Sequence, residues 1–225
     1  MKYLEFLGHL HSAVDPNYYV EIGIRNGAAL SRATKFAVGI DPRFQITFPF
    51  TAFTKLFRST SDDFFQQHDL RQELGGNAAQ LAFIDGFHNF EFALRDFMNV
   101  ERNMTTDGII VVDDVRPRTV REAQRAPTGG AWTGDVWKLY FCLKQYRPDL
   151  EIICAGTEPT GLLLVRKLNP ASNVIAKNYD KIVAEYLSDE YGNYPDSAYL
   201  EGFDEPEDIL KKRFKFAVPP SPQNA

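Results

Sequence analysis

The run Tyr18-Tyr19-Val20-Glu21-Ile22-Gly23-Ile24-Arg25-Asn26-Gly27 constrains this chain more than any other segment. Its aromatic and β-branched start reads as a strand. The glycines that follow break the strand, because Gly takes positive φ and lets another group approach the backbone closely. A helix is expected over 26–34, opening on the small residues Ala28 and Ala29. Phe36 to Ile40 reads as a second strand, ending at Asp41-Pro42. A strand, a glycine turn, a helix and a second strand make a unit that builds a parallel sheet.

The same alternation continues. An aromatic loop over 43–52 leads to a short strand over 55–58, and Ser61-Asp62 opens a helix running to about His68. A strand over 80–84 ends at Asp85, and 90–103 has helical apolar spacing. Gly108-Ile109-Ile110-Val111-Val112 is nearly all β-branched, as strands buried on both faces are, and it ends at Asp113-Asp114. A long connection over 115–133 carries Arg116, Arg118, Arg121 and Arg125; such a set is most often a solvated face. A helix over 135–146 and two closely spaced strands, 151–155 and 161–165, complete the pattern, the last pair antiparallel. The expected fold is α/β: a Rossmann-like, mostly parallel sheet with helices on both faces and an antiparallel last strand. Residues 1–169 form the domain with its N-terminal helix. Residues 170–225 form a C-terminal extension that packs on the core, acts as a lid or serves a subunit contact, and 216–225 read as a flexible tail.

In open α/β sheets, ligands sit beyond the carboxyl ends of the strands. Glu21-x-Gly23-x-x-x-Gly27 lies at such an end, where the Glu21 carboxylate is placed to hold a cationic amine. Asp41, at the end of the next strand, is placed to accept hydrogen bonds from ribose hydroxyls. The dinucleotide pattern Gly-x-Gly-x-x-Gly fails, with Arg25 and Ala28 at its second and third glycines, and no Gly-Lys-Ser/Thr exists. The loop fits a cofactor with a ribose and an amino-acid moiety better than one with a pyrophosphate. The bland alternative is a tight turn with an acidic cap.

Asp85 and Asp113-Asp114 end two neighbouring strands, so a parallel sheet brings their carboxylates to one edge. Like charges at short range raise one another's pKa, and a hard divalent cation such as Mg²⁺ resolves the repulsion with oxygen ligands. Simple helix caps are the alternative.

Glu21-x-Gly23-x-x-x-Gly27 with Asp41 resembles the first two motifs of class I S-adenosylmethionine-dependent methyltransferases. The resemblance implies that Gly23 and Gly27 line the methionine and ribose, that Asp41 meets the ribose diol and that Ser61-Asp62 contact the adenine. Asp85 with Asp113-Asp114 resembles the metal site of the catechol O-methyltransferase type. Ile84-Asp85-Gly86-x-His88 followed by Ile109-Ile110-Val111-Val112-Asp113-Asp114 is closer to the sugar O-methyltransferases of macrolide and aminocoumarin biosynthesis. Trp132-Thr133-Gly134-Asp135-Val136-Trp137-Lys138 also resembles a segment of that group. The resemblance spans about residues 18–166. It implies that Mg²⁺ or a similar cation on Asp85, Asp113 and Asp114 acidifies a substrate hydroxyl. His88, as a neutral imidazole, then takes the proton, with Asp85 also beside the cofactor.

The remaining features narrow the context. The chain has 225 residues and a net charge of −5, against a nucleic-acid partner, which needs a basic face. Cys142 and Cys154 sit in apolar runs without zinc spacing, as reduced thiols of a cytoplasmic protein do. No apolar run is long enough to span a membrane. His9, His11 and His68 read as structural or surface residues, and the tyrosine-rich extension is compatible with a homo-oligomer. The expected activity is Mg²⁺-dependent O-methylation of a small hydroxylated molecule such as a sugar or glycoside. An NAD(P)-dependent oxidoreductase and a non-catalytic cofactor-binding subunit on the same fold are the rivals.

Overall fold

The computed structural model describes residues 1–217, so the expected tail lies almost wholly outside the described residues. Seven strands form one sheet: β1 (Tyr18–Ile22), β2 (Phe36–Ile40), β3 (Phe53–Phe57), β4 (Ala79–Ile84), β5 (Met104–Val112), β6 (Glu151–Ala155) and β7 (Leu162–Arg166). Their order is β3-β2-β1-β4-β5-β7-β6, and β7 runs antiparallel to both of its neighbours. The chain leaves β1 toward β2 and β3, then returns to β4 on β1's other side. Strand order therefore reverses between β1 and β4, which opens a crevice at their carboxyl ends.

The sheet is buried on both faces because its strands are apolar at successive positions, not alternate ones. Val20, Ile22, Ile110, Val112, Leu163 and Val165 point to one side. There they meet α2 (Ser61–Gln67), α3 (Leu70–Glu73), α4 (Phe90–Glu101), α5 (Lys138–Tyr146) and α6 (Val174–Tyr186) through Phe64, Leu70, Phe97, Leu139 and Tyr186. Tyr19, Leu81, Val111 and Leu164 point to the other side, onto α1 (Tyr3–Val14) and α8 (Pro206–Phe214). In the chain between α6 and α8, α7 (Ser197–Glu201) completes the extension, which packs on both faces of the sheet.

The helix expected over 26–34 is absent. In its place stand turns and a 3₁₀ turn, Leu30–Arg32. Arg25 and Gly27 both have positive φ, 51° and 84°, which no α-helix accommodates. The backbone here bonds outward instead: Gln45 N–H donates to the Arg25 carbonyl at 2.8 Å and Thr47 N–H to that of Asn26 at 3.0 Å. The segment 43–52 thereby becomes the partner of the loop. Thr60, not Ser61 or Asp62, caps α2, its hydroxyl accepting from Asp63 N–H. No helix among the described residues is long and apolar enough to cross a membrane.

Candidate active site

Backbone bonds continue one residue past the strands and tie the acid-bearing turns together. Gly23 N–H donates to Ile40, Asp85 N–H to Ile22 and Asp113 N–H to Ile84, at 2.8–3.0 Å. Gly23 is required by contact as well as by its φ of 87°: a Cβ there would lie 1.8 Å from the Asp85 carbonyl oxygen. Glycine alone lets β1's turn close on β4's.

Two cavities adjoin along Gly23, Asp41 and Asp85. The first, about 350 Å³, is lined by Ile22, Pro42, Ser61, Asp62 and the rings of Phe87 and Phe92. This size suits a nucleoside-type ligand. Both oxygens of Asp41 are fixed by backbone donors, Arg25 N–H at 2.7 Å and Arg43 N–H at 2.5 Å. Each keeps a lone pair for a further donor. Ser61 and Asp62 line the same wall, but the Asp62 oxygens are held by the Arg95 guanidinium at 2.7 and 2.8 Å.

Two expected cofactor contacts lie elsewhere. Glu21 is fully buried beneath the turn, accepting from the Tyr19 hydroxyl at 2.7 Å, with Oε1 unpartnered. Burial holds its carboxyl well above the usual range. It points to the α1 side of the sheet because it shares Tyr19's parity on β1. Gly27 packs against the Phe50 ring, 3.0 Å from where its Cβ would be, so it shapes the turn and does not line the cleft.

The second cavity, about 380 Å³, is lined by Tyr3, Arg25, Asp85, His88, Asp113, Asp114 and Thr160. Ligand-type atoms of Asp85, His88 and Asp114 lie within 4.8 Å of one another. His88 Nε2 stands 3.3 Å from Asp85, and Nδ1 stands 3.0 Å from Asp114 and 2.8 Å from the Trp132 carbonyl. Asp113 lies beside this group, not within it: its Oδ1 accepts from Asp114 N–H at 2.8 Å and from the Thr160 hydroxyl at 3.4 Å. The parity expected of consecutive strand-end residues is broken because Asp114 is left-handed, with φ of 60°. Aspartate takes this conformation more readily than most non-glycine residues, and here its N–H bond to Asp113 helps to hold it.

The electrostatics follow from this crowding. Burial together with the Asp85 charge, partly offset by His88, leaves Asp114 at about 6 and Asp113 well above the carboxylate range. Burial lowers His88, but the hydrogen bond to Asp85 and the charge of Asp114 outweigh it, to about 9. Asp85 and Asp114 thus hold the His88 ring toward its protonated form. The Trp132 carbonyl can only accept, so Nδ1 carries a proton in either state, and Nε2 is the atom that titrates.

The segment over 132–135 fixes His88 in place. Trp132 stacks on the imidazole, with centroids 5.1 Å apart. Asp135 accepts from Phe90 N–H at 2.8 Å and so caps α4. The four arginines of the preceding connection are paired, not free. Arg118 bonds Glu122, Arg121 the Thr128 and Gly129 carbonyls, Arg125 Glu91 and Asp135, and Arg116 the Leu200 carbonyl.

Sequence reasoning missed Tyr3, Phe87, Phe92, Thr160 and Asp96. An aromatic residue two positions after Asp85 was the available signal for Phe87. Asp96, on α4 behind Gly86, is 2% exposed with Oδ1 unpartnered, and burial raises it to about 7. Its folded-state pKa exceeds the unfolded value of 3.8, so stability falls as pH rises from about 4 to 7 and then levels. Asp96→Asn should remove this decline, worth about 4 kcal/mol at most. Urea unfolding of both proteins at pH 4.5 and 8 checks it; a stability difference that does not change with pH contradicts it.

Residues 13–115 match the family model of a methyltransferase domain. A Klebsiella pneumoniae protein assigned as an O-methyltransferase has a similar structure, with TM-score 0.54 and 16% identity over 74% of this chain and 79% of that one. The O-methyltransferase TomG of Streptomyces achromogenes, involved in tomaymycin synthesis and solved with SAM, gives TM-score 0.53 and 16% identity, over 74% and 79%. An O-methyltransferase of Bacillus cereus solved with SAH gives 0.50 and 14%, over 72% and 79%. At this identity the likeness establishes the fold. No curated protein matches by sequence.

Proposed function

We propose that this chain, a methyltransferase by its matched domain and its class I fold, transfers the methyl group of S-adenosylmethionine to a hydroxyl of a small molecule, with a divalent cation between Asp85 and Asp114. The observation that carries the reading is the adjacency of the two cavities: one wall of glycine, Asp41 and aromatic rings meets one wall of carboxylates and an imidazole along Asp85.

The residues present suit both groups. Gly23 leaves the backbone open to close approach, Asp41 offers lone pairs to a ribose diol, and Phe87 and Phe92 offer ring faces to a base. Asp85 and Asp114 offer hard oxygen donors, and burial holds the Asp114 carboxyl above the usual range, at about 6. The cofactor supplies an already activated methyl group, and a divalent cation would lower the pKa of a bound hydroxyl.

The chain's own residues position the reactants and move the proton. Asp41 and Gly23 set the cofactor's depth in the cleft, and Asp85 borders both cavities. A cation held by Asp85 and Asp114 would offset the two carboxylates that raise His88, leaving burial to favour the neutral ring. Nε2 then accepts the hydroxyl proton while Nδ1–H stays on the Trp132 carbonyl, which keeps the ring oriented. Much of the rate comes from holding hydroxyl and methyl in line.

Calorimetry with S-adenosylhomocysteine and with NAD⁺ tests the cofactor. Heat is expected with the first alone, and Asp41→Ala should weaken it by about tenfold or more, the scale of lost charge-assisted bonds. Heat with NAD⁺ and none with S-adenosylhomocysteine would overturn the proposal in favour of an oxidoreductase.

A further inference from the structure

The left-handed Asp114 poses a question that the strand itself does not answer: what holds it. The segment that follows is gripped from two directions. On one side, Arg116 N–H donates to the Thr160 carbonyl at 2.6 Å. On the other stands the C-terminal extension, outside the matched residues 13–115. The Tyr199 hydroxyl, from α7, donates to the Val115 carbonyl at 2.6 Å. Arg116 Nε donates to the Leu200 carbonyl at 3.0 Å, and its guanidinium lies 5.1 Å from the centre of the Phe203 ring. The chain after α7 is itself anchored: Asp204 N–H donates to Cys154, and Gly156 N–H to Asp204, both at 2.8 Å.

We infer that Tyr199 is a positioning residue of the acidic site: by holding the Val115 carbonyl, it fixes the turn in which Asp114 brings its carboxylate to His88. The inference rests on the reading that Asp114 helps to hold a cation. Val115 is fully buried, so no water replaces the Tyr199 hydroxyl at its carbonyl without rearrangement. Tyr199 is 7% exposed and packs on Tyr140, Phe141 and Phe203, so its ring stays in place when the hydroxyl is removed. Loss of that bond releases the carbonyl next to Asp114, while Arg116 still holds the Leu200 carbonyl, and lets Asp114 shift from φ of 60° away from His88. The extension thus reaches the site through the backbone of this turn, with Tyr199 bonding the residue next to Asp114 and without touching a ligand.

The test uses Tyr199→Phe in the full chain, with Tyr186→Phe as a comparison. Tyr186 is also a buried tyrosine of the extension, but its hydroxyl bonds Gln145, away from the turn. Mn²⁺ affinity is read by electron paramagnetic resonance, S-adenosylhomocysteine affinity by calorimetry, and Tm by scanning calorimetry. Tyr199→Phe should weaken Mn²⁺ binding about tenfold or more, the usual effect of removing a partner that orients a metal ligand. Its S-adenosylhomocysteine affinity should stay within about twofold, because the turn borders only the second cavity. Tyr186→Phe should lower Tm while leaving Mn²⁺ affinity intact. Unchanged Mn²⁺ affinity in Tyr199→Phe, or an equal loss in Tyr186→Phe, overturns the inference. Absence of Mn²⁺ binding by the wild-type protein removes the cation reading itself, and the inference with it, and is distinguishable from both.

Discussion

Gly134→Ala should cost this protein both stability and turnover. At φ of 57°, Gly134 sits where a Cβ would lie 1.6 Å from the His88 carbonyl oxygen and 3.1 Å from its Cβ. Neither contact involves a flexible side-chain tip, so the segment over 132–135 must retreat from His88. The left-handed conformation alone costs alanine about 1–2 kcal/mol. Overpacking against fixed backbone adds about 1–3 kcal/mol. For a chain of this size the sum lowers Tm by roughly 4–20 °C. The retreat also withdraws the Trp132 carbonyl from Nδ1 and the Asp135 carboxylate from the start of α4, so His88 loses its orientation. Turnover should fall by about a hundredfold, the lower end of what a positioned acid–base group contributes. S-adenosylhomocysteine binding should survive in the folded fraction, since the first cavity is lined by none of residues 132–135. Wild-type Tm and turnover in Gly134→Ala would remove this segment from the account.

The second large effect is expected of Asp85→Asn, which keeps the shape of the side chain and removes its charge. Asp85 borders both cavities, bonds His88 Nε2 and raises Asp113 and Asp114. Removing its charge should lower all three groups: Asp113 and Asp114 toward ordinary carboxylates, and His88 from about 9 toward neutrality. The sign for His88 is fixed by its folded-state pKa lying above the unfolded 6.5. The His88 ion pair with Asp85 is lost as pH rises through about 9, and Asp114 takes up its own proton below about 6, so the wild-type advantage over the variant should be largest near neutrality and be gone by about pH 10. Imidazole NMR titration of both cation-free proteins reads the shift directly. Activity should fall by about 10²–10⁴, because one substitution removes a cation ligand and a His88 partner. An unchanged His88 titration would show that Asp85 is not its controlling neighbour.

The sheet was legible because its strands are written in two ways at once: as β-branched runs and as acids at their ends. Ile109 to Val112 followed by Asp113-Asp114 defines a buried strand and the edge it leads to. The same signal places Asp41 and Asp85 just past β2 and β4, where they border both cavities. What failed was local conformation set by distant partners. Ala28, Ala29 and Leu30 favour a helix by propensity, yet the turn gives its bonds to Asp41 and to residues 43–52, and that requires positive φ at Arg25. The choice between Asp113 and Asp114 could not be read either, since period-2 parity presumes extended backbone and Asp114 is left-handed. Glu21 was misplaced by treating an acid at a strand end as facing the ligand; its parity with Tyr19 buries it. Tyr3 and Thr160 reach the second cavity from far along the chain, and no local pattern marks them. The 115–133 arginines looked like a charged face because sequence does not show that Glu91, Glu122 and Asp135 lie within reach.

The most direct measurement is a crystal structure with S-adenosylhomocysteine and Mn²⁺, using anomalous scattering to place the ion. The account predicts the ribose hydroxyls on Asp41, the base against Phe87 and Phe92, and one anomalous peak in contact with Asp85 and Asp114. Cofactor density elsewhere, or an ion bound away from these two carboxylates, would contradict it.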